Sequence, residues 1–271
     1  MIFVIHGTGV HSWLNRHVLG SCRWWLPASL FCQGIREGLS AEAEIRTFQW
    51  SGDNSHRKRI EAGRALAALI EESRTGGPGR IALVGHSQGG NVALEAVNCL
   101  AGGMVHDVVL LASPHMAVQP AEGFPASIGG HLDRGKDGRC WLYWGQAPHK
   151  TGGRIWNLYS LQDAVQVLVA SYLHGLRDLD RSTRFSLKVS REYRGSLEQM
   201  VHNAAIHWEA DSWMKLLRSR HGGIKPHSAM HSQKMGRLIG RLLSGQDAIT
   251  PALRSAGLRE GPNPIEDLGC P

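Results

Sequence analysis

Six short apolar runs recur along the chain, each bounded by glycine, proline or polar clusters. They are Ile2–Ile5, Glu44–Trp50 with Ile45, Phe48 and Trp50 apolar, Ile81–Val84, Asp107–Ala112, Arg154–Ser160 and Ala205–Trp208. Runs this short and this continuous fit strands buried on both faces. Between them the apolar spacing lengthens to that of helices: Ile60, Leu66, Leu69 and Ile70; Val92, Ala96 and Leu100; and, late in the chain, Met235, Leu238, Ile239 and Leu242. Pro27-Ala28-Ser29 starts a further short helix, to about Leu39. Strands that alternate with helices predict an α/β fold, a mostly parallel, doubly wound central sheet of about six strands. Arg181–Tyr193 shows neither period.

Two stretches depart from the alternation. Residues 114–153 are rich in glycine and proline and carry Trp141, Tyr143 and Trp144. A structureless loop of that length is uncommon, so a cap-like, substrate-binding insertion is expected there. Beyond residue 243 the Pro/Gly-containing segment 244–271 reads as a loosely attached tail. One domain over 1–243 accounts for the rest, and 271 residues suffice for its core.

Composition narrows the function classes. No apolar run reaches the length that spans a bilayer, and Met1-Ile2-Phe3-Val4-Ile5 lacks the basic flank of a signal peptide, so a cytoplasmic location is expected. The 5 cysteines are widely spaced with no Cys-x-x-Cys, against a zinc site or a disulfide framework. The net charge of +7 gathers late, from Lys215 to Arg259, without a nucleic-acid motif beside it. It reads first as a solvated basic face, compatible with peripheral contact to an anionic membrane surface; no nucleic-acid partner is expected.

The densest chemistry lies at Gly85-His86-Ser87-Gln88-Gly89, where a strand-length apolar run turns at once into a helix. That context makes Gly-x-Ser-x-Gly a nucleophile elbow: a serine in strained backbone, flanked by glycines because the strand and the helix crowd one another there. Here the chain resembles the α/β-hydrolase superfamily, whose lipases and esterases often carry Gly-His-Ser-Gln-Gly. With the first core strand at residue 2, the two antiparallel N-terminal strands of the full hydrolase sheet are expected to be missing, and a minimal version of the fold is implied. The likeness extends to bacterial lipases and to the lipase-like domains that include inositol deacylases of lipid anchors, with Trp50-Ser51-Gly52 a minor cue.

The resemblance assigns roles residue by residue. His6-Gly7 after the first strand matches the oxyanion loop, so the backbone N–H groups of Thr8 and Gln88 would form the oxyanion hole. A Rossmann phosphate loop at Gly7-x-Gly9 is the weaker alternative, since Ser12 stands where the third glycine belongs. Tyr159-Ser160-x-x-Asp163-x-Val165 is similar to the acid segment of small lipases and nominates Asp163; a helix N-cap is the competing role. Two late histidines compete for the base. His227 stands where such lipases place theirs, and His231 looks like the residue before a helix N-cap. Their i, i+4 spacing also resembles a His-x-x-x-His metal site, but no Glu follows the first, so no metal is expected.

The order Ser, Asp, His, each past a strand end, is what this architecture needs to converge a triad. The expected activity is a serine carboxylic ester hydrolase, lipase- or phospholipase-like, needing no cofactor and acting on a small-molecule ester or lipid. Trp13, His86, Trp141 and Trp144 are candidate substrate contacts. The aromatic stretch from His11 to Phe31, with Trp13, Trp24 and Trp25, is either a wall over an acyl pocket or ordinary loop packing. An acyltransferase or thioesterase with the same triad, and a catalytically silent binding module, are the alternative classes.

Overall fold

The computed structural model describes residues 1–7, 23–53, 56–74, 79–113, 117–118, 131–134, 140–143, 147–160, 201–207, 230–245, 249–255 and 259–260. Its strands are β1 Ile2–Ile5, β2 Ile45–Phe48, β3 Ala82–His86, β4 Asp107–Leu111, β5 Ala117–Val118, β6 His131–Arg134, β7 Cys140–Tyr143, β8 Ile155–Tyr159, β9 Val201–His207 and β10 Arg259–Glu260. The helices are α1 Leu30–Gly38, α2 His56–Arg74, α3 Gln88–Cys99, α4 Ala147–Lys150, α5 Gln233–Leu243 and α6 Ile249–Ser255.

The central sheet runs β10-β9-β8-β4-β3-β1-β2. Six of these strands are parallel, as the sequence pattern predicts, and β10 adds antiparallel to β9. The register aligns the strand ends: Ile5 lies opposite both Phe48 and Gly85, His86 opposite Leu111, Leu111 opposite Leu158 and Tyr159 opposite Ala205. Successive side chains of a strand point to opposite faces, and the core divides accordingly. Ile2, Val4, Val84, Val109 and Leu158 pack with Phe31 and Ile35 of α1 and with Met235, Leu238 and Ile239 of α5. Phe3, Ile5, Leu83, Val108 and Leu110 pack with Leu66 and Ile70 of α2 and with Val92, Ala96 and Val97 of α3. Both faces are covered, which accounts for the unbroken hydrophobicity of the runs.

On the first face, α1 and α5 meet backbone to backbone. Each carries two glycines four residues apart: Gly34 and Gly38 on α1, Gly236 and Gly240 on α5. A Cβ at Gly34 would run into the carbonyl of Gln233, and one at Gly38 into that of Arg237. A Cβ at Gly236 would strike the carbonyl of Phe31, and one at Gly240 that of Ile35. The seam is closed at its ends by polar contacts. Gln233 Nε2 donates to Glu37 Oε1 at 2.7 Å, and the Ser40 N–H donates to Ser244 Oγ at 2.8 Å. Ser29 and Ser232 cap the two helices, accepting from the N–H groups of Cys32 and Met235.

Residues 117–143 contribute β5, β7 and β6, which pair antiparallel in that order as a second, separate sheet. The expected insertion thus has strands of its own, and α4 ties its end back, with Ala147 fully buried in the second core cluster. The segment after 244, expected as a loose tail, differs from that expectation where it is described. Ala252 and Leu253 of α6 are fully buried in the first cluster, and β10 extends the sheet. Pro251 lies in the first turn of α6, where its missing N–H has no intrahelical partner to lose. Among the described residues no helix is long and apolar enough to cross a membrane.

Candidate active site

β3 is buried throughout and α3 begins at Gln88, so Ser87 alone makes the turn between them. Its φ of 53° and ψ of −130° lie where a side chain is disfavoured, a cost of about 1–3 kcal/mol that the surroundings must offset. They do so from several sides. The Ser87 N–H donates to the Leu111 carbonyl at 2.8 Å, and the Gly90 N–H donates to the Ser87 carbonyl at 3.0 Å. A Cβ on Gly85 would lie 2.6 Å from the Gly89 oxygen and the Gly90 nitrogen. One on Gly89 would lie 2.5 Å from the carbonyl oxygens of Ile5 and His6. These obstacles are main chain and cannot swing aside, so both positions require glycine. The next strand leaves the sheet through a second left-handed residue, Ala112, with φ 46°, whose N–H donates to the Leu158 carbonyl. The buried Ser113 beside it fills the space over Gly90.

The Ser87 side chain forms no capping hydrogen bond to α3, so its hydroxyl is not committed to the helix. The first N–H groups of α3, beginning with that of Gln88, have no carbonyl within the helix to bond. With no acid in the first turn of α3, the positive end of its dipole is uncompensated. The Gln88 side chain is buried and held by Asn91, whose Nδ2 donates to Gln88 Oε1 at 2.7 Å.

Across from the elbow, the end of β1 is pinned. A Cβ on Gly7 would lie 2.8 Å from Ser87 Cβ and 3.1 Å from the His86 carbonyl oxygen, so the Gly7 backbone lies directly against the serine. Its neighbour His6 is fully buried, with its ring 5.2 Å from that of Trp25 and stacked on that of Trp50. The Trp50 backbone N–H donates to His6 Nε2 at 3.3 Å, and the Trp50 indole donates to the His6 carbonyl at 2.8 Å. Because Nε2 accepts, the ring proton sits on Nδ1, which donates to the Gly7 carbonyl at 2.8 Å.

His86 and His6 follow the same alternation as Val84 and Val4, so both rings face the α1–α5 side. There His231 lies with its ring 3.9 Å from that of His86 and stacked on Trp24 at 4.0 Å, only 3° from parallel. Trp24 meets Phe31 edge-on at 5.2 Å. Trp24 and Trp25 are each 7% exposed and belong to the first core cluster; they wall the site from beneath, which favours packing over a lid for this part of the aromatic stretch.

A sequence profile of the alpha/beta hydrolase family matches residues 2–266. The chain belongs to that family. No curated protein sequence matches it.

As an alpha/beta hydrolase, it carries its elbow at the position the sequence motif marks. The structure brings together Ser87, Gln88, His86 and the His6-Gly7 pair, with His231 against His86. Ser232 is the N-cap of α5, so His231 precedes the cap as expected. Thr8, Trp13, Trp144, Asp163 and His227 lie outside the described residues, and of Trp141 only its place on β7 is described. Ser160, three residues before Asp163, follows β8 at the elbow's edge of the sheet, and Met230, three residues after His227, is fully buried in the first cluster. Burial pushes the Tyr159 hydroxyl, at the end of β8, up to about 12. Among the described residues no group of His, Cys, Asp or Glu could hold a metal ion.

Sequence reasoning missed the roles of Trp50 and Asn91 in this alpha/beta hydrolase, and Arg59, buried at the start of α2. A tryptophan two residues past a strand end, level with His6, was the available signal for the first. For Arg59 it was a basic residue in phase with the apolar stripe of Ala62, Leu66 and Ile70.

Proposed function

We propose that this alpha/beta hydrolase cleaves carboxylic esters through an acyl-enzyme on Ser87. One observation carries this assignment: a serine held at positive φ between a buried strand and a helix N-terminus, with the Gly7 backbone packed against it. Strain of this kind persists where the surroundings over-determine a conformation, and at Ser87 it leaves a hydroxyl uncommitted to the helix.

In the proposed cycle His227 takes the proton as Ser87 Oγ attacks the ester carbonyl, and Asp163 fixes the imidazole and stabilises its charged form. The Thr8 and Gln88 N–H groups receive the oxyanion, each donor lowering the barrier by about 2.7–4 kcal/mol. His227 then protonates the departing alcohol, and water attacks the acyl-enzyme by the same route. The aromatic residues and net positive charge are compatible with a lipase- or phospholipase-like substrate.

The test is hydrolysis of p-nitrophenyl esters from acetate to long acyl chains, alongside labelling by a fluorophosphonate. Ser87-dependent turnover that rises with chain length supports the lipase-like assignment, and a short-chain optimum makes the substrate a soluble ester. Absence of both turnover and labelling, in a chain that is folded, overturns the proposal.

A further inference from the structure

α2 opens with three basic residues in succession, Arg57, Lys58 and Arg59. The first two share one acid: Arg57 Nε lies 2.8 Å from Glu61 Oε1, and Lys58 Nζ lies 2.8 Å from Glu61 Oε2. Arg59 turns inward. It is 7% exposed, and its Nη1 is sealed from solvent without a hydrogen-bond partner among the described residues. It continues the buried stripe of Ala62, Leu66 and Ile70 by one turn toward the helix N-terminus. That end of α2 follows β2 at the edge of the sheet where Trp50 meets His6 and Ser87 makes its turn.

Among the described residues no acid pairs with it, and Asp53, the acid that most closely precedes α2, is exposed. Glu95, the buried carboxylate of the facing helix, packs against Gly63, a turn further from the site, with Arg64 as its charged neighbour. The first turns of α2 and α3 contain no acidic residue. The first 36 residues of the chain, which include everything between β1 and α1, hold no Asp or Glu, and residues 54 and 55 are Asn and Ser. Burial lowers the Arg59 pKa to about 10, which leaves it charged at neutral pH. A buried cation without a partner is among the most unfavourable arrangements a fold can keep, and binding sites are where such arrangements persist.

We propose that Arg59 receives an oxyanion, carboxylate or phosphate, that the substrate carries away from its scissile ester, so that the enzyme selects anionic esters. The planar guanidinium fork suits both groups, and the N-terminus of α2 adds its dipole. The inference rests on the ester-hydrolase assignment only in making the anion part of the substrate.

The test therefore separates binding from turnover. Melting of the full chain is followed with inorganic phosphate, with glutarate, and with chloride at matched ionic strength, for the native protein, Arg59→Met and Arg59→Lys. The native protein gains about 2–4 °C with phosphate or glutarate and nothing with chloride. Arg59→Met melts higher than the native protein without anion and does not respond; Arg59→Lys keeps part of the response. Hydrolysis is then compared for p-nitrophenyl butyrate, p-nitrophenyl hemiglutarate and 1-butyryl-glycerol-3-phosphate, which tells carboxylate from phosphate. On the preferred anionic ester Arg59→Met lowers kcat/KM about tenfold more than on the butyrate. An anion response that needs Arg59, with no ester cleaved, keeps the anion site and removes the ester-hydrolase assignment. A response equal in native protein and Arg59→Met, no response in the native protein, or equal losses on neutral and anionic esters overturns the proposal.

Discussion

Trp50 holds His6 twice, its backbone N–H on the imidazole Nε2 and its indole N–H on the His6 carbonyl at 2.8 Å. Through His6 Nδ1 the chain of bonds continues to the Gly7 carbonyl, and Gly7 lies against Ser87. The His6-Gly7 turn beside Ser87 is thereby fixed by a residue that follows a different strand, β2.

Trp50→Phe removes the indole donor and leaves the buried His6 carbonyl short of a partner. A stability loss of about 1–3 kcal/mol is expected from urea denaturation. If the His6-Gly7 turn positions an oxyanion donor, kcat falls roughly 10- to 100-fold with KM little changed. Loss of stability with unaltered kcat would show that the link is structural only.

The late histidines separate by substitution. His227→Ala is expected to lower kcat by a factor on the order of 10^4 or more. His231→Phe, which keeps a flat ring on Trp24, is expected to retain most activity. The reverse pattern in steady-state kinetics would transfer the base to His231.

The α1–α5 seam gives a coupling that can be measured. Gly34→Ala and Gly236→Ala each push a methyl into a main-chain carbonyl, and each is expected to cost about 1–3 kcal/mol or more. Once one methyl has moved the helices apart, the second meets a gap already opened. The double variant should therefore lose clearly less than the sum of the singles. Additive losses would mean that the two contacts relax independently.

Glu95 is the buried acid of the α2–α3 interface. Burial raises its pKa above the ordinary carboxylate value, against weaker opposing pulls from Arg64 and a hydrogen bond with Asn98. The folded state thus holds this proton more tightly than the unfolded state. Its contribution to stability is present below the unfolded value of about 4.3 and is lost as pH rises through the raised folded value. Glu95→Gln should accordingly be more stable than the native protein at pH 7, with the advantage shrinking toward pH 4. A pH-independent difference in melting temperature would refute the assignment.

The parts of the fold visible in the sequence are those where a single physical demand acts on neighbouring residues. The elbow is legible because Gly85 and Gly89 each answer to a nearby carbonyl, and the spacing of those collisions is local. The parallel strands are legible because burial on both faces makes runs such as Val108–Leu111 apolar throughout. β9 begins earlier than its apolar residues suggest, since His202 and Asn203 are polar yet pair with β8. The glycines of α1 and α5 count against a helix when each segment is read alone. Their purpose is visible only when the two segments, far apart in the chain, are set side by side. Pro251 misleads in the same way, as proline suggests an end of structure when it stands at a beginning. Arg59 stayed hidden because three consecutive basic residues look alike until their surroundings are known.

The seam also bears on when the fold of this molecule can close. Its polar closure joins Ser40 to Ser244, 204 residues apart. During synthesis the glycine face of α1 waits, uncovered, until α5 has left the ribosome. A sheet with its elbow in place could form earlier, but the helix that presses His231 onto Trp24 follows β9 in the chain. Any Ser87-dependent activity should then appear only once α5 has emerged, and ribosome-bound chains stalled before α5 should be inert.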